Sequence, residues 1–359
     1  MSITMVESSS EINDVRLPPE FKGVTFSNFK KTEVKLQLME SIKKAKLEPA
    51  MYWCAELVCA GHFADIWEII LYFVGKHIHL GNPKIVIYLD RRYAIFKNII
   101  HQGYHLNELH LRNFNNVRKL FAEIICVLAI SPKKHSFEHV KINRIEEFDM
   151  AQMTERLKAP SQIYTETIFL PKDPKELIIP VNEFAYSLSP DARNGMMACY
   201  WLEWMIEFDT LCKKRKTPCH CQRRYAYSVD SKSQCDIIWI VWDCILHYCD
   251  ALSNPFLTTV MNSLLELFCM KYTSGVAKRR RYLLYFAVTL IIEPVPTNIE
   301  IIHDKKLVQH VVDNIPSVYM QIKPNEKSPE TDYLYYNLDR DNAFEKTIQK
   351  LEIMNKICS

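Results

Sequence analysis

Between positions 212 and 235 the chain gathers the side chains most able to bind something: Cys212, Cys219, His220, Cys221 and Cys235, interleaved with Lys213, Lys214, Arg215, Lys216, Arg223 and Arg224. Thiolate and imidazole are the ligands of a structural zinc ion, so Cys212, Cys219, Cys221 and Cys235 are the metal candidates of this sequence. Their spacing argues against the ion, because one residue separates Cys219 from Cys221 and the Cys-x-x-Cys pair of most zinc modules is absent. The expectation is therefore no metal and no cofactor. A second basic run follows at Lys278-Arg279-Arg280-Arg281. Such runs are most often solvated faces or import signals. They hold a phosphate backbone when several share one surface, which makes these ten Lys and Arg residues the candidate contacts for nucleic acid or an acidic protein partner.

Two aromatic pairs stand in matching surroundings: Tyr52-Trp53 before Glu56, and Tyr200-Trp201 before Glu203. An exposed pair would stack bases. Recurrence in two apolar settings instead favours core anchors, with the glutamates accepting from buried Tyr or Trp donors. Trp67 and Trp242 are assigned the same anchoring role. No Ser/His/Asp or Cys/His set has a local signature. The phosphate-cradling Gly-x-x-x-x-Gly-Lys-Ser/Thr loop is missing, since Gly75-Lys76 has neither the upstream glycine nor the following hydroxyl. A non-enzymatic protein without a small-molecule substrate is expected.

The elements that must position these residues read as helices. Only seven glycines occur in 359 residues, with 48% apolar and 24% charged residues, and a β-sandwich or nucleotide-binding α/β domain would need more turn glycine. An all-α chain is expected. Apolar residues recur at helical spacing at Val34, Leu38 and Ile42, and through 50–60, 66–79, 117–129, 198–211, 236–251, 256–272 and 278–292. Asn82-Pro83 and Asn254-Pro255 are helix-start signals, Asn capping free N–H groups and Pro needing none. The echo of 49–83 from Ala198 onward, at an offset of 148 from Tyr52 to Tyr200, marks two diverged copies of one helical unit. The expected organisation is a flexible arm over 1–30, a helical domain over 31–140, a proline-containing connector over 141–180 with a short strand pair, and a second helical domain over 181–320 with a basic insertion at 212–234. A linker and a short C-terminal helix striped by Phe344, Ile348, Leu351 and Met354 fill 321–359.

The twelve cysteines lie mostly in apolar runs and read as reduced thiols. No basic stretch followed by an apolar one opens the chain, and no uncharged apolar window reaches 18 residues. An intracellular protein, cytoplasmic or nuclear, without a membrane span is expected. A formal charge of +3 does not by itself announce nucleic acid.

Tyr52-Trp53, Gly61, Ile78-His-Leu80-Gly81-Asn82-Pro83 and Leu128-Ala129-Ile-Ser131-Pro132-Lys133-Lys134 together carry a family resemblance. Over about 31–140 the chain resembles the C-terminal oligomerisation domain of the RarA/MgsA clamp-loader-like ATPases, in order and approximate spacing, while the ATPase module is missing. The resemblance implies self-association, in that family a tetramer, and a scaffold or adaptor role in DNA replication or repair. The Ile-, Lys- and Asn-rich usage is similar to that of proteins of giant DNA viruses, which would place the protein in a viral factory. The alternative is a helical-repeat scaffold, a virion component or a translation-type scaffold, with no DNA role.

Overall fold

The computed structural model describes residues 10–101, 108–144, 148 and 154–328. Thirteen α-helices and no β-strand occur among them, so the all-α reading holds and the expected strand pair in the connector is replaced by 3₁₀ turns such as Ile163–Thr165. The first six helices are α1 (Lys31–Lys43), α2 (Leu47–Cys59), α3 (Phe63–Phe73), α4 (Ile85–His101), α5 (Glu108–Asn113) and α6 (Asn115–Ile130). The remaining seven are α7 (Ile178–Leu188), α8 (Gly195–Lys214), α9 (Ile238–Ala251), α10 (Pro255–Cys269), α11 (Val276–Arg279), α12 (Arg281–Ile292) and α13 (Lys305–Ile322). No helix among the described residues is long and apolar enough to cross a membrane.

The two halves repeat the same packing. In the first, α1 lies on α2, α3 and α6, and α2 on α3 and α6. In the second, α7 lies on α8, α9 and α12, and α8 on α9 and α12. The offset of 148 carries α1 and α2 onto α7 and α8; the basic segment after α8 then displaces α9 from the register of α3. Helix α7 is not among the expected helices; its first three residues fall in the expected connector, where Pro180 reads as a breaker. It falls in the first turn, where a missing N–H costs nothing. Across the halves α4 packs on α10, α12 packs on the π-helical turn Val74–Ile78 that extends α3, and one hydrophobic cluster runs through both. Gly75 permits the second of these contacts, since a Cβ there would sit 2.7 Å from the Tyr282 carbonyl carbon.

Several expectations are corrected. The described part of the 1–30 arm is docked, not free: Ile12, Phe21 and Phe26 are buried, and Asp14 and Arg16 form a buried pair with an Nη2–Oδ2 distance of 2.6 Å. Its partner strand of chain is 325–328, where Lys327 N–H donates to Asp14 and Asn325 O accepts from Arg16, so this part of the expected linker is packed as well. Helix α13, which carries Pro316 in its interior, is not among the expected helices. It buries Val308, Ile315, Tyr319 and Ile322, spaced by seven, four and three, against α6 and α2 of the first half. The expected C-terminal stripe from Phe344 to Met354 lies outside the described residues.

Of the helix-start signals, Asn254 behaves as read, accepting from Phe256 and Leu257 N–H at 3.0 and 3.3 Å ahead of Pro255. Asn82 does not cap. It is fully buried before Pro83, its amide donating to Glu300 and Ile301 carbonyls at 3.5 and 3.3 Å, and α4 begins three residues later.

Candidate anion-binding cleft

Helix α8 starts at a true cap, Asn194 accepting from Met197 N–H at 3.1 Å. Residues 198–206 are buried on every face. The last two turns emerge from the core, and the residue types change with them, to Glu207, Asp209, Lys213 and Lys214. Between this end of α8, the start of α9 and the turn leading into α11 lies a cleft of about 390 Å³. Ile206, Ile238, Val241 and Ala277 form its apolar walls, and Asp209, Asp236 and Tyr272 supply polar atoms inside.

The charged groups of the cleft are coupled. Lys213 Nζ donates to Asp209 Oδ2 at 2.5 Å, an i,i+4 pair on α8. The other oxygen, Oδ1, is buried with no donor among the described residues. Burial raises the Asp209 carboxyl pKa, Lys213 opposes the rise, and the charge of Asp236 adds to it. Tyr272 donates to Asp236 at 2.9 Å; burial and that carboxylate push the phenol far up.

The structure divides the ten basic candidates. Lys213, Lys214 and Lys278 line the cleft, Arg215 and Lys216 continue the chain from its edge, and Arg279 is exposed beside Lys278. Lys214, Arg215, Lys216 and Arg279 make no salt bridge among the described residues, whereas Lys278 lies 3.5 Å from Glu207, which also pairs with Arg144. Two runs 65 positions apart thus meet at one site. Four arginines expected to contact a ligand do not belong to it, and three of them are structural. Arg224 is 5% exposed and grips Asp173 through both terminal nitrogens at 2.5 and 2.6 Å and Asp243 at 2.9 Å. Arg280, 4% exposed, binds Glu68 at 2.6 Å and the Phe268 carbonyl at 2.6 Å, and Arg281 binds Glu203 at 3.2 Å. A guanidinium removed from water in this way has a fixed partner and none to spare for phosphate. Arg223 is exposed but lies off the cleft, bonded to Gln234 at 2.7 Å and stacked over Tyr225.

The cysteine segment carries no metal geometry: no group of three His, Cys, Asp or Glu side chains among the described residues is placed to hold an ion. Cys221 is buried and donates to the Asp236 carbonyl at 3.3 Å; Cys212, Cys219 and Cys235 are half-buried. Burial pushes the Cys219 and Cys221 thiols up to about 12, which disfavours the thiolate a zinc ion needs.

The aromatic anchors sit in the core or at its edge. Trp67, Trp201 and Trp242 are buried, and Tyr200 meets Trp201 edge to face at 5.0 Å. Tyr52 and Trp53 are half-buried in the same arrangement at 5.1 Å. The glutamates after them are acceptors, although not of Trp donors. Glu56, fully buried, takes Thr25 Oγ1 at 2.9 Å and Ser27 N at 3.0 Å, pinning the segment before α1. Glu203 takes Tyr285 OH at 2.9 Å, and burial pushes its carboxyl up to about 6 despite Arg281 and Tyr285.

Sequence reasoning missed Asp209, Asp236 and Tyr272. The one legible signal was the Asp209/Lys213 spacing on a helix already assigned. Two of the motifs that carry the RarA/MgsA resemblance, 78–83 and 128–134, are in contact: Lys134 N–H donates to Ile78 O at 3.2 Å, and a Cβ on Gly81 would lie 2.5 Å from Pro132 O. No protein-family model, no curated protein and no solved structure matches this chain.

Proposed function

We propose that this chain is a non-catalytic helical adaptor that engages nucleic acid through the basic edge of the cleft between α8, α9 and α11, in the replication or repair of intracellular or viral DNA. The observation that carries the reading is the convergence of Lys213–Lys216 with Lys278 and Arg279, four of whose charges are not neutralised by a carboxylate. The resemblance to the RarA/MgsA oligomerisation domain supplies the replication and repair context and the self-association.

Fluorescence anisotropy with single-stranded and forked DNA at 50 and 200 mM salt tests it. Four phosphate contacts on a single strand give a slope of roughly −3 in log K against log salt, a loss of about 50-fold over that interval. Charge reversal at Lys214, Arg215, Lys216 and Arg279 removes the binding and its salt dependence. Binding indifferent to both salt and charge reversal, or no binding at 50 mM salt, overturns the reading. The duplicated four-helix packing favours a second reading, a protein-interaction scaffold with no DNA role. Light scattering on the same samples separates a self-associating adaptor from a monomer that ignores DNA.

A further inference from the structure

A second cavity, of about 250 Å³, lies on the seam between the halves, away from the basic cleft. Its walls are aromatic and apolar: Trp67 from α3, Tyr93 and Phe96 from α4, and Met270 just beyond α10. The three rings are already locked to one another, Trp67 meeting Tyr93 edge to face at 5.1 Å and Phe96 at 5.9 Å, so the walls are preformed. Deep inside, the Arg280 guanidinium and the Glu68 carboxylate neutralise each other at 2.6 Å. At the mouth stand exposed Lys97 and Lys271, and neither forms a salt bridge among the described residues. Lys97 instead lies over the Tyr93 ring at 5.0 Å. Glu68 is the only carboxylate among the described residues of the lining, so the mouth they form is cationic. Trp67 is 3% exposed, and its indole Nε1–H has no acceptor among the described residues.

An aromatic slot with a cationic mouth, beside a buried N–H donor that has no acceptor among the described residues, has the chemistry of a site for a flat aromatic anion. Flat apolar atoms fill the slot, and a negative group meets Lys97 and Lys271. We propose that this seam cavity binds a small aromatic monoanion, a carboxylate of about bicyclic size, and that the ligand bridges the two halves. The seam site shares no residue with the basic cleft, so it stands or falls independently of DNA binding.

The experiment uses the full chain and a matched pair of probes, 1-naphthoate and its neutral counterpart 1-naphthylmethanol, titrated by isothermal calorimetry. Naphthoate binds saturably at one site in the micromolar range, and the neutral probe binds roughly tenfold more weakly, the equivalent of about 1.4 kcal/mol. Lys97→Glu with Lys271→Glu, both on the surface, reverses that preference. Ala64→Trp, on the exposed first turn of α3 at the cavity edge, fills the slot and abolishes binding of both probes. No saturable naphthoate binding up to millimolar concentration overturns the proposal. So does binding that survives Ala64→Trp, or an anion preference unchanged by the double charge reversal.

Discussion

Replacing Arg280 with Ala removes a buried polar link between the halves. The guanidinium is 4% exposed and makes a two-point contact with Glu68, Nη2 to Oε1 at 2.6 Å and Nε to Oε2 at 3.4 Å. It also caps the C-terminal end of α10, where Nη1 reaches the Phe268 and Leu267 carbonyls at 2.6 and 3.4 Å. Deleting one member of a buried pair costs about 3–5 kcal/mol, chiefly because the other charge is stranded. Glu68 keeps a side-chain exposure of 29% and rehydrates in part, which moves the Coulombic loss to the bottom of that range. The lost cap on two helix-terminal carbonyls adds about 1 kcal/mol. The expected destabilisation is therefore about 3–4 kcal/mol, read in urea unfolding as a lower midpoint with an unchanged m-value. Arg280→Met with Glu68→Leu replaces both charges by apolar groups of similar length and is expected within about 1 kcal/mol of the parent. A cost below about 1 kcal/mol for Arg280→Ala, or a double variant as unstable as the summed singles, refutes the assignment of Arg280 to structure and returns it to the pool of ligand contacts.

Gly75→Ala drives a methyl group into the Tyr282 backbone and is expected to cost about 2 kcal/mol, whereas Gly275→Ala meets nothing within 4 Å and is expected to be neutral or slightly stabilising; paired urea curves compare the two. His79 is 2% exposed and packs on Phe286, and burial pushes its pKa down to about 4. The folded value lies below the unfolded one of about 6.5, so the unfolded chain takes up the proton first and stability is lost as pH falls from about 6.5 to 4, by up to about 3 kcal/mol. His79→Asn, a smaller polar residue that does not titrate, reduces that slope in stability measured against pH and leaves the share of His77, which burial also pushes down to about 4; an identical slope in the variant refutes the assignment.

The sequence by itself determined the helical class, most helix cores and the duplicated unit, because hydrophobic periodicity and Asn/Pro caps act over single turns of the chain. Asn254 and the stretches around Val34, Val117 and Trp242 needed no partner to be recognised. Tertiary structure decided the rest. Pro180 and Pro316 look like breakers until helix position and burial show one in a first turn and the other inside an amphipathic α13 that crosses to the first half. Asn82 and Asn254 precede proline alike, yet only burial beneath residues 300–301 turns the first from a cap into a core amide. The run Lys278-Arg279-Arg280-Arg281 contains four equivalent cations on paper. The turn from α11 into α12 sends Arg280 toward Glu68 and Arg281 toward Glu203, and leaves Lys278 and Arg279 in water. Whether a charge is spent on structure or left for a ligand depends on the dielectric and the counter-charge around it, and both are set by residues remote in the chain.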